Sequence, residues 1–198
     1  MQIGTVTGPL LNGIAGALEQ LGYDTVLFTD SQNRAPDVWT ALGAASCETE
    51  RAQLGPGVTN TVTRDPAVLA SAATTLHLLS GGRAVLPIGR GDSAAHFIGR
   101  KPERIGDFDT KLGLLRQYLR ERHAVRDGID SPMDWTALAE PLGPVPIELV
   151  PSGPKMTRLA ARHADRISFA VGADADYIAT FLANARRQLE AAGVPFSP

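Results

Sequence analysis

The sequence predicts an α/β fold built on a parallel sheet, and three observations carry that expectation. Apolar runs alternate six times with stretches of helical periodicity along the 198 residues. Some runs are nearly continuous, as in Thr25-Val26-Leu27-Phe28-Thr29, which suits strands covered on both faces. Glycine-rich or polar clusters follow four of the runs, and in parallel sheets the strand ends are where ligands sit.

Residues 2–7 form the first expected strand, ending at Gly8-Pro9. Ile14, Ala17, Leu18 and Leu21 then repeat at helical spacing over 12–21, and Gly22 supplies the stop. After the strand at 25–29 comes Asp30-Ser31-Gln32-Asn33. A helix beginning at Pro36 turns Val38, Leu42 and Ala45 inward. Residues 53–60 read as a strand interrupted by Gly55-Pro56-Gly57. Asp65 is the expected N-cap of a helix through Leu69, Ala72, Ala73 and Leu76 to Ser80-Gly81-Gly82.

The central strand is expected at 83–88, followed by Gly89-Arg90-Gly91-Asp92-Ser93 and, from about Glu103, a helix with Ile105, Phe108, Leu112, Leu115 and Leu119 inward. Residues 123–144 read as an insertion. A strand at 146–150, a helix carrying Met156, Leu159, Ala160 and His163, a strand at 165–172 and a helix from about Asp174 to Ala192 complete the chain.

Composition narrows the function classes. At 43% hydrophobic and 20% charged residues the chain suits one globular domain. A net charge of −2 without a basic block argues against nucleic acid. The sole cysteine, Cys47, excludes an internal disulfide and is expected to be a small buried helix residue. The four histidines lack ligand spacing, so no metal is expected. The absence of a signal peptide or spanning apolar run leads to the expectation of a cytoplasmic protein without membrane contact.

Two architectures suit parallel βα units, an open doubly wound sheet and a closed barrel. A (β/α)8 barrel takes about 250 residues, with about 200 the low end, so six units are too few to close one. Among the loops, Ser152-Gly153-Pro154-Lys155 opens a helix whose free N–H groups would face an anion, and a plain capped helix start is an equally good reading. Asp30 reads as a substrate-orienting group or a turn residue. Gly89-x-Gly91-x-x-Ala94 fits the dinucleotide fingerprint, but Gly99-Arg100-Lys101-Pro102 cuts short the long helix that motif needs.

The stretch Ser80-Gly81-Gly82-Arg83-Ala84-Val85-Leu86-Pro87-Ile88-Gly89-Arg90-Gly91-Asp92-Ser93 resembles the signature of the luciferase-like monooxygenase superfamily, in its coenzyme F420-dependent branch, which includes methylenetetrahydromethanopterin reductase. Thr29-Asp30-Ser31-Gln32, Leu54-Gly55-Pro56-Gly57-Val58-Thr59-Asn60, Thr63-Arg64-Asp65-Pro66-Ala67 and Ser152-Gly153-Pro154-Lys155 fit the same pattern in order. The resemblance implies a TIM (β/α)8 barrel, here incomplete at about six βα units, as a single domain over 1–198, truncated at its C-terminus.

It further implies that Gly57-Val58 is a non-prolyl cis peptide backing the deazaflavin ring, with Thr59 and Asn60 beside it. Ser152, Gly153, Pro154 and Lys155 would hold the coenzyme phosphate. Gly89, Arg90, Gly91 and Asp92 would line the same mouth, with Asp30 near ring and substrate. The implied activity is hydride transfer between F420 and a small organic substrate. FMN-dependent monooxygenation and a non-catalytic remnant are the alternatives, and an uncovered sheet edge would suit a homodimer. Three positions depart from the pattern: Ser31 stands where several relatives carry histidine, Pro87 replaces a usual glycine, and Asp65 stands where histidine is expected.

Overall fold

A computed structural model describes residues 2–8, 12–151, 153–169, 172, 174–191 and 193. In chain order the elements are β1 (Gly4–Thr7), α1 (Ile14–Gln20), β2 (Thr25–Phe28), α2 (Val38–Glu48), β3 (Gln53–Pro56), β4 (Thr59–Asn60), α3 (Pro66–Leu79), β5 (Leu86–Gly89), α4 (Asp92–Phe97) and α5 (Ile105–Glu121). There follow β6 (His123–Arg126), β7 (Ile129–Pro132), a 3₁₀ segment (Asp134–Leu142), β8 (Ile147–Leu149), α6 (Pro154–His163), β9 (Arg166–Ile167) and α7 (Ala175–Ala191).

The parallel strands pair in the orders β1-β2-β3 and β4-β5-β8-β9. A parallel bridge between Leu54 and Ala84 joins the two sheets into one arc. Each parallel strand is thus the neighbour of the next in sequence, with β3 and β4 as halves of one interrupted strand. A doubly wound sheet reverses its strand order at a switch point. This arc does not, so the open doubly wound alternative is excluded and the winding is that of a barrel.

Side-chain alternation follows from the pleat. Val26 and Phe28 of β2, Leu86 and Ile88 of β5, and Ile147 and Leu149 of β8 are buried in the layer between sheet and helices. The helices meet them with Leu42, Leu69, Phe108, Leu112, Leu115 and Leu159, all at 1% exposure or less. Burying each such side chain contributes about 1.5–3 kcal/mol. The intervening residues Leu27, Pro87 and Glu148 face the inside of the arc and line a cleft there.

Pro87 is accommodated by the interruption between β3 and β4. Val85 N–H bonds to Leu54 on the β3 side and Leu86 N–H to Pro146 on the β8 side. N–H directions alternate along a strand, so the Pro87 nitrogen faces the break beyond Leu54, where a ladder donor is not needed. Gly55 lies opposite, and a Cβ there would fall 2.3 Å from the Val85 carbonyl oxygen and 3.1 Å from Pro87 Cδ.

Several expectations shift on the structure. The helix placed from Pro36 begins at Val38, because the Asp37 side chain caps it by accepting from Thr40 N–H. The strand expected at 83–88 pairs over Leu86–Gly89, and the one at 165–172 over Arg166–Ile167, with Ala170 and Val171 outside the described residues. Cys47 is exposed rather than buried. It follows Ala45 by two residues, about 200° around the helix, and so points away from the face that carries Val38, Leu42 and Ala45. The insertion at 123–144 is the β6–β7 hairpin and the 3₁₀ segment.

Asp65 caps α3 by accepting from Ala67 N–H. It also receives Arg126 of the hairpin in a two-pronged pair, at 2.8 and 2.7 Å. At the other end of α2, Arg83 donates to the carbonyls of Ser46, Thr49 and Ala52.

Candidate functional site

The strand ends open into a cleft of about 770 Å³. Asp30 follows β2, Gly57, Val58 and Asn60 surround the β3–β4 break, Gly89 ends β5, and Arg90, Gly91 and Asp92 follow it, all on the cleft walls. The structure therefore brings together eight of the residues singled out in the sequence. Thr59 sits behind the wall, fully buried, and donates its hydroxyl to Asp30 Oδ2 at 2.7 Å.

Asp30 is 3% exposed. Gln32 Nε2 donates to its Oδ1 at 2.6 Å, and Arg64 Nε lies 3.8 Å from Oδ2. Burial pushes the Asp30 carboxyl above the usual aspartate range, and the hydrogen bond from Thr59, the Arg64 guanidinium and Gln32 pull the other way.

The Gly57–Val58 peptide is cis, as the resemblance implies. Gly57 packs tightly: a Cβ would lie 2.9 Å from Val6 Cγ1 and 3.0 Å from Leu27 Cβ. Asn60 Oδ1 accepts from Val62 N–H, Thr63 N–H and the Thr63 hydroxyl. Asn60 Nδ2 and Arg90 Nε are buried without a hydrogen-bond partner among the described residues. Both donors are therefore open to an acceptor placed in the cleft. Gly91 adopts φ 83°, the left-handed region, and a Cβ there would meet Asn60 Cγ at 3.0 Å.

The 152–155 stretch is divided. Ser152 lies outside the described residues. Gly153 and Pro154 open α6 beside Pro151 and Met156, both of which line the cleft. Lys155 does not line it. It is exposed on a neighbouring groove with Ile105, Arg158, Leu159 and Arg162.

Sequence reading missed Glu148 and Ser168, which form a polar pair on the cleft floor, the serine hydroxyl donating to Glu148 Oε1. Period-2 alternation through Ile147 and Leu149 was the signal that could have placed Glu148 inside. Ser31 lines the cleft, and its hydroxyl can hydrogen-bond but does not titrate near neutral pH. Among the described residues, no group of His, Cys, Asp and Glu is arranged to hold a metal, and no helix is long and apolar enough to cross a membrane.

A sequentially wound parallel arc with a cleft at its strand ends defines a (β/α) barrel scaffold. The luciferase-like monooxygenase family matches residues 11–198, and the chain belongs to that family. Among curated proteins, the 5,10-methylenetetrahydromethanopterin reductase of Methanolobus tindarius is 34% identical over 151 residues, 75% of this chain and 46% of the relative. The F420-dependent glucose-6-phosphate dehydrogenase of Beutenbergia cavernae is 35% identical over 161 residues, 74% of this chain and 48% of the relative.

The chain thus spans about half the length of these curated relatives. Its fold matches the solved coenzyme F420-dependent tetrahydromethanopterin reductase of Methanopyrus kandleri with a TM-score of 0.76, at 19% identity, over 98% of this chain and 62% of that one.

Proposed function

We propose that this chain carries the coenzyme-binding part of an F420-dependent oxidoreductase that moves a hydride between the deazaflavin and a small organic substrate. The observation that carries the reading is the cleft, walled by Gly57 and Val58 and furnished with the unspent donors Asn60 Nδ2 and Arg90 Nε. A flat heteroaromatic ring with carbonyl acceptors on one edge fits that combination of wall and donors. Relatives of this chain are named for F420 or for methylenetetrahydromethanopterin.

When bound, the deazaflavin supplies a carbon that accepts or gives up a hydride, and the protein's part is to bind, orient and shield it. Asn60 and Arg90 would hold the acceptor edge. Gly57, Val58, Val6 and Leu27 would form an apolar backing that excludes water. The positive end of α6, at Gly153 and Pro154 with Ser152 before them, would take the phosphate, and Lys155 would add charge from the adjoining groove. Asp30 would hold or release a proton at its carboxyl beside the substrate. A second copy of the chain would suit the outer edges of β1 and β9.

Fluorescence and thermal-shift titrations with F420 and, separately, FMN test the reading. Saturable stabilisation by F420 supports it. Stabilisation by FMN alone would replace it with flavin-dependent monooxygenation, which the family description favours. No response to either would leave a non-catalytic chain. Gly153→Asp should weaken F420 binding at least about tenfold if the α6 terminus holds phosphate, and unchanged affinity would remove that assignment.

A further inference from the structure

Two segments line the cleft next to each other, the end of β4 at Asn60 with the loop that follows it, and the loop after β5 with Arg90 and Gly91. A pair of charged residues that do not line the cleft ties them together. Lys111 on α5 donates to the Thr61 carbonyl at 2.9 Å and to Glu103 Oε1 and Oε2 at 2.9 and 3.0 Å. The Thr61 hydroxyl donates to Glu103 Oε2 at 2.5 Å. Glu103 N–H in turn donates to the Arg90 carbonyl at 3.0 Å.

The chain of bonds therefore runs from one loop to the other through Glu103, and its foot is fixed. Lys111 stands on a helix held by Phe108, Leu112 and Leu115, all at 0% exposure. The Glu103 side chain is 12% exposed and that of Lys111 34%, so the pair is shielded but mutually neutralised, and all three ammonium protons are used. On the cleft side the two segments touch at Asn60 and Gly91, where an added Cβ would lie 3.0 Å from Asn60 Cγ.

We propose that Glu103 and Lys111 are positioning residues, which fix the spacing of Asn60 and Arg90 and thereby set coenzyme affinity without touching the coenzyme. The affinity part rests on the F420 reading, whereas the fixing of the loops does not. The simpler possibility is a pair that only adds to global stability, and the two predict different patterns of hydrogen exchange.

The experiment is amide hydrogen exchange on the ligand-free chain, with Lys111→Met, Glu103→Gln and the double variant, followed by F420 titration of the same proteins. Exchange at Val62, Thr63 and Glu103 should quicken at least fivefold in each single variant, while β2 and α3 stay as in the wild type. The double variant should be no faster than the singles, because they break one unit. F420 affinity should fall about tenfold in parallel, and Lys111→Arg should recover most of it.

Uniform quickening across the chain, or none at those three amides, would overturn the proposal. So would wild-type F420 binding that survives unchanged in Lys111→Met. A wild type that fails to bind F420 would defeat the coenzyme reading and the affinity part with it, and the exchange result would still decide the loop-fixing part.

Discussion

Asp30 shows how one position acquires its chemistry from its surroundings. An aspartate after a strand is commonly a turn residue. Here the carboxyl is buried at 3% exposure and held by Thr59 and Gln32 at the edge of a cleft. Asp30→Asn should lower turnover about a hundredfold while F420 affinity changes less than about threefold, which steady-state kinetics and titration separate. Because burial raises the folded-state pKa, the protonated form favours folding. The benefit is present below the unfolded value near 3.8 and is lost as pH rises through the folded value. Denaturation from pH 3 to 7 should therefore show the wild type losing stability relative to Asp30→Asn as pH rises. At Gly55 the constraint is steric: an added methyl group meets the Val85 carbonyl oxygen at 2.3 Å. Gly55→Ala should cost about 2–3 kcal/mol in urea unfolding.

Helix ends set the stability of the elements. Arg83 follows the Gly81-Gly82 turn, yet its guanidinium reaches the end of α2, donating to Ser46 O at 3.3 Å and Thr49 O at 2.8 Å, and to Ala52 O beyond the helix at 2.7 Å. A cation there opposes the negative helix end and satisfies carbonyls left without intrahelical partners. Arg83→Met should destabilise by about 2–3 kcal/mol, read from the denaturation midpoint. Asp65 joins the start of α3 to the β6–β7 hairpin through Arg126. Asp65→Ala loses both cap and pair and should cost about 1 kcal/mol, whereas Asp65→Asn keeps the cap and should cost less. Hydrogen bonds from Arg126 hold the Asp65 carboxyl below the usual aspartate range. Its contribution is therefore complete above the unfolded value near 3.8 and is lost as pH falls through the lowered folded value, a loss that Asp65→Asn should not show.

For the whole molecule, the arc of parallel strands leaves β1 and β9 each paired on one side only among the described residues. Unpaired strand edges recruit other strands. The 198-residue chain should sediment as a larger species as its concentration rises, and a single monomeric species throughout would show that the edges are otherwise protected. The same arc makes the cleft, since Asp30, Asn60 and Arg90 come from three successive strand ends and meet only because the sheet curves.

The sequence by itself determined the six βα units, the inward helix faces of Val38, Leu42 and Ala45 and of Phe108, Leu112 and Leu115, and the cap at Asp65. These rest on local periodicity and on contacts a few residues apart. Its likeness to a family pointed to the Gly57–Val58 bulge and to the Gly89–Asp92 loop. Only the tertiary structure decided that Cys47 faces outward, that Lys155 stands on a separate groove, and that Glu148 and Ser168 share the cleft floor. It alone revealed the reach of Arg83 to α2 and of Lys111 to Thr61. The physical reason is that such contacts join residues tens of positions apart, and the curvature and packing of the whole arc, which no local pattern encodes, set which of them meet.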